Sequence, residues 1–201
     1  MDKDKIPVIA INREYGAGGR ALAAVLSERL DIPYYDKDFV TKTVKESGYD
    51  KEEVEREGEE ISEVARVFDS FLGSSVSYSS SHDAIFEAEK KVILDLAKEP
   101  CIMVGRCADQ ILKKAGVDVL SVYLHAPHDM KLERAKQLKE YGDEKPEKFM
   151  EKRDKQRAIF YKQYTGCDIS DAANYTLTFD VGKVSVERIA DMITGILNRG
   201  D

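Results

Sequence analysis

The sequence predicts an α/β fold in which helices cover both faces of a mostly parallel, five-stranded sheet, giving three layers. Five short apolar runs recur along the chain, and stretches with helical periodicity separate them. Hydrophobic residues make up 42% of the 201 residues, which is enough for a sizeable core. We therefore expect one domain over residues 1–201.

The strands and helices alternate in a simple order. Strands are predicted over five ranges: 7–11, 32–35, 101–104, 119–124 and 175–181. The first helix begins near Arg20, and a second runs to about residue 98 with Asp83 as its N-cap. A short helix ends near residue 115, and a charged helical region over 128–164 is broken near Gly142 and Pro146. A closing helix has Val186, Ile189, Ile193 and Leu197 on its apolar face.

The stretch between the second strand and residue 82 differs in character. Residues 50–72 form an acidic pattern with an apolar helical stripe, and residues 74–81 are rich in serine. We interpret residues 37–82 as a helical insertion over the edge of the sheet.

Charge and composition narrow the choice of partners. The formal net charge is −7, so we expect no nucleic-acid partner, although locally gathered basic residues could still bind phosphate. The three cysteines are odd in number and far apart, which favours free buried thiols over disulfides or a metal site. Because no apolar stretch has the length of a membrane span, we expect a cytoplasmic protein without a membrane partner.

A glycine-rich turn, residues 15–19, joins the first strand to the first helix. Such a junction can bind an anion, because backbone N–H groups and the helix dipole converge on it. The P-loop pattern has Gly, four residues, then Gly-Lys-Ser/Thr. Counted from the strand, Arg13 stands at the first glycine and Gly18-Gly19-Arg20 end the pattern. Shifted by one residue, Arg20 stands at the lysine and Ala21 at the hydroxyl, so neither register is complete.

The same turn permits two other interpretations. Gly16 to Ala21 satisfies the dinucleotide pattern G-x-G-x-x-A, and Asp36 ends the second strand where a ribose-binding acid could lie. Against this, three residues separate strand from glycine, and Arg20 puts a charge at the helix start. A plain tight turn is the third interpretation.

Arginines further along the chain favour phosphoryl transfer. Arg106 follows Gly105 at the end of the third strand, at the edge where parallel sheets bind ligands, and can hold a phosphate by two parallel hydrogen bonds. Arg153 and Arg157 lie four residues apart on one helical face. A surface salt bridge is the alternative for each of them, and Arg134, on a charged helix, is interpreted as solvated.

Four strings in the chain resemble the cytidylate kinase-like family, a branch of the nucleoside monophosphate kinases. They are INREYGAGGR at 11–20, IPYYDK at 32–37, VGRCADQIL at 104–112 and YKQYTG at 161–166. The resemblance extends from the first strand to the last helix. It implies a P-loop kinase fold with a core at about 1–36, 83–138 and 165–201, a helical acceptor-binding insertion at about 37–82, and a charged lid at about 139–164.

The resemblance also implies an activity and a set of site residues. The activity is transfer of the γ-phosphoryl group of ATP, with Mg²⁺, to a small acceptor, most simply a nucleoside monophosphate such as CMP or dCMP. Residues implied for ATP are Arg13, Tyr15, Gly16, Ala17, Gly18, Gly19, Arg20 and Ala21. Residues implied for the acceptor are Asp36, Arg106 and Asp109, and those implied for catalysis are Arg20, Arg153 and Arg157.

The chain departs from ordinary cytidylate kinases at Gly19-Arg20-Ala21, because the lysine and the hydroxyl that hold phosphate and metal are not matched. The metal ligands are therefore unknown, with Asp36 and Asn12 as candidates. Three functions stay open: an active kinase, a catalytically weak nucleotide-binding protein, and a nicotinamide-dependent oxidoreductase. The expected partner is a small nucleotide, bound by a monomer or a homodimer.

Overall fold

The computed structural model describes residues 6–36 and 81–198, and these form one parallel sheet with helices on both faces. The strands are β1 (Val8–Arg13), β2 (Tyr34–Tyr35), β3 (Ile102–Val104), β4 (Val119–His125) and β5 (Leu177–Asp180). The helices are α1 (Gly19–Leu30), α2 (Ser81–Leu96), α3 (Ala108–Lys114), α4 (His128–Leu138), α5 (Pro146–Thr165) and α6 (Val186–Leu197). A single 3₁₀ turn (Ala172–Asn174) precedes β5.

The strand order is β2-β3-β1-β4-β5, and every described pairing is parallel. The predicted fold class is confirmed. The same order contradicts the dinucleotide interpretation, because that fold places β2 directly beside β1. Here β3 lies between them, so Asp36 follows a strand that does not neighbour β1.

The central strand β1 shows why both faces of the sheet are covered. Successive side chains of a strand point to opposite faces. Ile9 and Ile11 join a core formed with α1 and α6, whereas Val8 and Ala10 join a second core formed with α2, α3 and α5. All four side chains are buried. A strand apolar on both faces is therefore the centre of three layers.

Strands β2 and β5 are shorter than the sequence predicts, and β3 lacks one predicted residue, Cys101. The Ile32 N–H bonds the Ser27 carbonyl and the Ile32 carbonyl accepts from Ser27 Oγ, so this residue closes α1 and β2 begins at Tyr34. Likewise, the Tyr175 N–H bonds the Ala172 carbonyl at the end of the 3₁₀ turn, and β5 begins at Leu177.

The charged helical region divides where the sequence predicts. Helix α4 ends at Leu138, after which Lys139 has a left-handed φ of 54°. Helix α5 begins at Pro146, a position where the missing N–H of proline costs nothing. Asp83 lies inside α2 and is not its N-cap, which corrects that prediction.

The acidic helix at 50–72, the serine-rich loop over 74–80 and nearly all of the proposed insertion lie outside the described residues. Within 6–36 and 81–198, the helices are too short or too polar to span a bilayer.

Candidate functional site

The turn between β1 and α1 exposes the positive end of a helix at the carboxyl edge of the sheet. Gly16 and Gly18 have φ of 77° and 85°, values that glycine adopts without strain. Among the described residues no side chain caps α1 at Gly18, and its first turn contains no acid. The N–H groups at this end are thus available to an anion, which the helix dipole also favours.

Helix α4 lies directly against this turn. A Cβ on Gly16 would lie 2.8 Å from the Lys131 carbonyl oxygen, so no larger residue fits without movement. Arg134 Nη1 donates to the Gly16 carbonyl oxygen over 2.9 Å. The interpretation of Arg134 as a solvated side chain is therefore wrong, because its guanidinium binds the glycine-rich turn.

A cleft of about 350 Å³ opens above the turn. Its walls come from the turn, the start of α1, the end of α4 and the face of α5. The lining residues are Arg13, Glu14, Tyr15, Gly16, Gly18, Gly19, Arg20, Ala21, Arg134, Gln137, Leu138, Glu140, Arg153 and Arg157. Five arginines thus face two glutamates, which makes this cleft basic within a protein of net charge −7.

A smaller cavity of about 30 Å³ adjoins the cleft. It is lined by Arg106 at the end of β3, and it shares Arg13 and Arg157 with the cleft. Arg106 forms an ion pair with the buried Glu89 at 3.2 Å. Gly105, Arg106 and Cys107 all have positive φ, at 82°, 58° and 56°. Such conformations are costly for residues other than glycine and concentrate at functional sites.

Helix α5 is held over the turn by several contacts with Tyr15. The ring of Tyr15 packs edge-on against Phe149, with centroids 5.5 Å apart. Its N–H donates to Asp154, and its hydroxyl donates to Glu140 over 2.9 Å. Burial, together with the bond to Glu140, raises the pKa of Tyr15, so this hydroxyl keeps its proton at neutral pH. Three residues of the expected lid range, Glu140, Phe149 and Asp154, therefore contact Tyr15 of the turn.

Arg157 lies where the two cavities meet. Its guanidinium stands 5.6 Å from the centroid of the Tyr15 ring and 4.0 Å from Asp154, and its side chain is only 15% exposed. Its Nε and Nη1 are buried and have no hydrogen-bond acceptor among the described residues. Because buried guanidinium nitrogens without hydrogen-bond acceptors are costly, this geometry favours an incoming anion.

Arg20 occupies a more open position than the other arginines of the cleft. Its side chain is 53% exposed, and it pairs with Asp36 and, at 3.2 Å, with Glu140. Burial lowers the pKa of Arg20, but the bonds and charges of Asp36 and Glu140 outweigh that effect and raise it. It is therefore a fixed positive charge at the rim.

Three of the residues that the resemblance implies do not line either cavity. Ala17 is buried beneath the turn. Asp36 follows β2 and contacts the site through its ion pairs with Arg20 and Arg13. Asp109 is fully buried, and its carboxylate accepts from Asn12 over 2.8 Å and from the Tyr161 hydroxyl over 2.6 Å.

Sequence reasoning also missed residues that the structure brings to the site. Gln137, Leu138 and Glu140 come from the end of α4 and the residues after it. No pattern in a highly charged segment indicates which side chains turn inward. Only the resemblance, which placed a lid at 139–164, could have drawn attention to Glu140.

The sheet order, the glycine turn and the basic cleft at the carboxyl edge define a P-loop fold of the kinase type. A model of the cytidylate kinase-like family matches residues 8–183, and the chain belongs to that family.

Similar solved structures support the same fold. An uncharacterized protein from Eubacterium ventriosum ATCC 27560 is 24% identical, with a TM-score of 0.72, and the match covers 96% of this chain and 99% of that one. A shikimate kinase from Acinetobacter baumannii in complex with shikimate is 18% identical, with a TM-score of 0.57 and coverage of 98% and 97%. A gluconokinase from Sinorhizobium meliloti 1021 is 15% identical, with a TM-score of 0.54 and coverage of 96% and 92%. None of the curated proteins compared with the chain matches it.

Proposed function

We propose that the protein is a phosphotransferase that moves the γ-phosphoryl group of ATP to a small anionic acceptor, a nucleoside monophosphate such as CMP or dCMP. The observation that carries the proposal is the junction of the two cavities at Arg157, where two buried guanidinium nitrogens lack acceptors among the described residues. A transferring phosphoryl group has oxygens that such nitrogens would bind.

We assign a different substrate to each of the two cavities. We assign the donor phosphates to the cleft over the glycine turn, where Arg20 and Arg153 add positive charge to the open N–H groups. We assign the acceptor to the side of Arg106. Asp109, because it is buried, is assigned a positioning role through Asn12 and is not assigned a contact with the acceptor.

The proposed reaction needs little covalent chemistry from the protein. An acceptor oxygen bonds to the γ-phosphorus while the bond from that phosphorus to the β,γ-bridging oxygen breaks, and ADP leaves with the electron pair. An attacking phosphate oxygen is already deprotonated near neutral pH, so no general base is required. The task of the arginines is to align the two anions and to balance their charge.

The donor set is compatible with Mg²⁺, although the usual P-loop hydroxyl is missing in both registers, where Arg20 or Ala21 stands in its place. Mg²⁺ keeps several waters and needs only one or two carboxylates besides the phosphates. Asp36, which contacts Arg13 and Arg20, is the carboxylate that we assign to a hydrated ion. The ion would neutralise charge on the β- and γ-phosphate oxygens.

A second candidate is a nucleotide-binding protein with weak or no catalysis, because neither register of the P-loop pattern supplies both the lysine and the hydroxyl: Gly19-Arg20 stand there in one and Arg20-Ala21 in the other. For either function we expect the protein to act in the cytoplasm, as a monomer or homodimer, on a small nucleotide.

The test measures ADP release from MgATP with a panel of nucleoside monophosphates as acceptors. Shikimate and gluconate are included in the panel because two of the similar structures are a shikimate kinase and a gluconokinase. We expect Arg157→Met to lower kcat/KM by about 10²- to 10³-fold. The matched control is Arg29→Met, since Arg29 pairs with Asp191 on α6 and lines neither cavity.

The turnover of Arg29→Met should stay within about twofold of the wild type, as for most surface substitutions. ATP binding without ADP release for any acceptor would favour the second candidate. Equal turnover in Arg157→Met and the wild type would refute the assignment.

A further inference from the structure

At two positions of the P-loop pattern, the chain has a basic residue in place of a glycine and a glycine in place of the basic residue. When Gly18 is aligned with the second glycine of the pattern, Arg13 stands at the first glycine and Gly19 stands at the lysine. The structure supports this register, because β1 ends at Arg13 and α1 begins at Gly19 after its N-cap Gly18. At the lysine position itself the chain therefore has no side-chain charge, whereas Arg13 places one at the end of the strand.

The side chain of Arg13 occupies the space that a residue at position 19 would need. A Cβ on Gly19 would lie 3.0 Å from Arg13 Cγ and 3.2 Å from its Cδ. A Cβ on Gly105, at the end of the neighbouring strand β3, would overlap Arg13 Nη1. Arg13 thus crosses from β1 to the end of β3 over two glycines, and a Cβ on either of them would displace part of its side chain from this course.

The route of Arg13 ends between the donor and acceptor sides of the site. It lines both cavities, its side chain is 12% exposed, and it forms an ion pair with Asp36 at 4.0 Å. Arg20, the other arginine that could replace the lysine, is 53% exposed at the rim and is bound by Asp36 and Glu140. Of the two, Arg13 has the buried and central position.

We propose that Arg13 performs the task of the P-loop lysine, bridging the transferred phosphoryl group, and that Gly19 and Gly105 are present to admit its side chain. This inference rests on the proposed function. An arginine differs from a lysine in offering a planar fork, so it can hold two phosphate oxygens at once. The incomplete P-loop is then a rearranged site in which the cation is supplied from another position.

A double-mutant cycle between Arg13 and Gly19 tests the inference, with MgATP binding measured by calorimetry and turnover measured alongside. We expect Arg13→Ala to weaken ATP binding by about 10- to 100-fold, as for loss of a charge-assisted hydrogen bond. Gly19→Ala should also weaken it, because its Cβ displaces Arg13. In the Arg13→Ala background, Gly19→Ala should have no further effect, since the contact is gone.

A charge-exchange variant gives a second arm. Arg13→Gly combined with Gly19→Lys restores the first glycine and the lysine of the pattern, and it should recover part of the affinity that Arg13→Gly loses. Thermal unfolding without ligand checks that each variant is folded, and Arg29→Met is the arginine control.

The outcomes separate the inference from the proposed function. If the wild type binds no nucleoside triphosphate, the proposed function fails and the inference fails with it. If the wild type binds ATP but Arg13→Ala binds equally well, the inference alone is overturned. It is also overturned if Gly19→Ala weakens binding equally in both backgrounds, or if the exchange recovers nothing.

Discussion

Replacing Gly16 by alanine would test how closely helix α4 packs against the glycine turn. The substitution has two costs in the folded state. Gly16 has a φ of 77°, and an alanine in this left-handed region costs about 1–2 kcal/mol. Its Cβ would also lie 2.8 Å from the carbonyl oxygen and 3.0 Å from the Cα of Lys131, which are backbone atoms that cannot rotate away. Overpacking of this kind costs about 1–3 kcal/mol.

Gly116→Ala is a matched control for the first cost. Gly116 has a φ of 73°, and no atom among the described residues lies within 4 Å of the Cβ it would gain. Both alanines also reduce the freedom of the unfolded chain equally, so that effect cancels in the comparison. The free energy of unfolding should therefore fall by about 2–5 kcal/mol for Gly16→Ala and by about 1–2 kcal/mol for Gly116→Ala.

Thermal unfolding measures this difference. For a chain of this size, 1 kcal/mol lowers the Tm by about 2–4 °C, so we expect the Tm of Gly16→Ala to fall clearly further than that of Gly116→Ala. Only Gly16→Ala should also weaken ATP binding, because it moves the turn. Equal decreases in Tm for the two variants would contradict close packing of α4 against Gly16.

Two further predictions concern buried groups. Burial raises the pKa of the Cys101 thiol to about 12 and also raises that of Cys107, so at pH 8 we expect iodoacetamide to modify the half-buried Cys167 first. Mass spectrometry of the native protein checks this, and native labelling of Cys107 at the rate of Cys167 would contradict it. Tyr161→Phe removes a bond to the buried Asp109 carboxylate and should cost about 1.5–3 kcal/mol of stability. Burial and the Asp109 charge raise the folded-state pKa of Tyr161 above its ordinary value of about 10, so the stability it contributes is present below pH 10 and lost as the pH rises further. Urea unfolding from pH 9 to 11 should thus show a shallower loss for Tyr161→Phe, and identical slopes would contradict this.

The order of strands and helices could be predicted because each element carries its own pattern. An apolar run such as Val8–Ile11, which is short and is followed by a glycine-rich turn, is typical of a strand buried on both faces, and Pro146 indicates a helix start from its own chemistry. Strand ends were less predictable. Ile32 is apolar, but its backbone closes α1 and does not join the sheet ladder.

The parts of the candidate site that depend on backbone geometry could be predicted from the sequence. The positions of the long arginine side chains could not. Glycines after a strand indicate an anion-binding turn, and Arg106 at a strand end follows from the parallel sheet. The contact of Arg134 with the turn could not be predicted, because the periodicity of a charged helix does not distinguish solvated arginines from inward-facing ones. The course of Arg13 over Gly105 also depends on residues 92 positions apart in the sequence, which only the fold brings together.

Calorimetric titration of MgATP shows whether the basic cleft binds the phosphates of ATP. We expect saturable binding at one site, weakened at least about 10-fold by Arg157→Met and unchanged by Arg29→Met. Binding that is absent in the wild type, or equally tight in both variants, would contradict it.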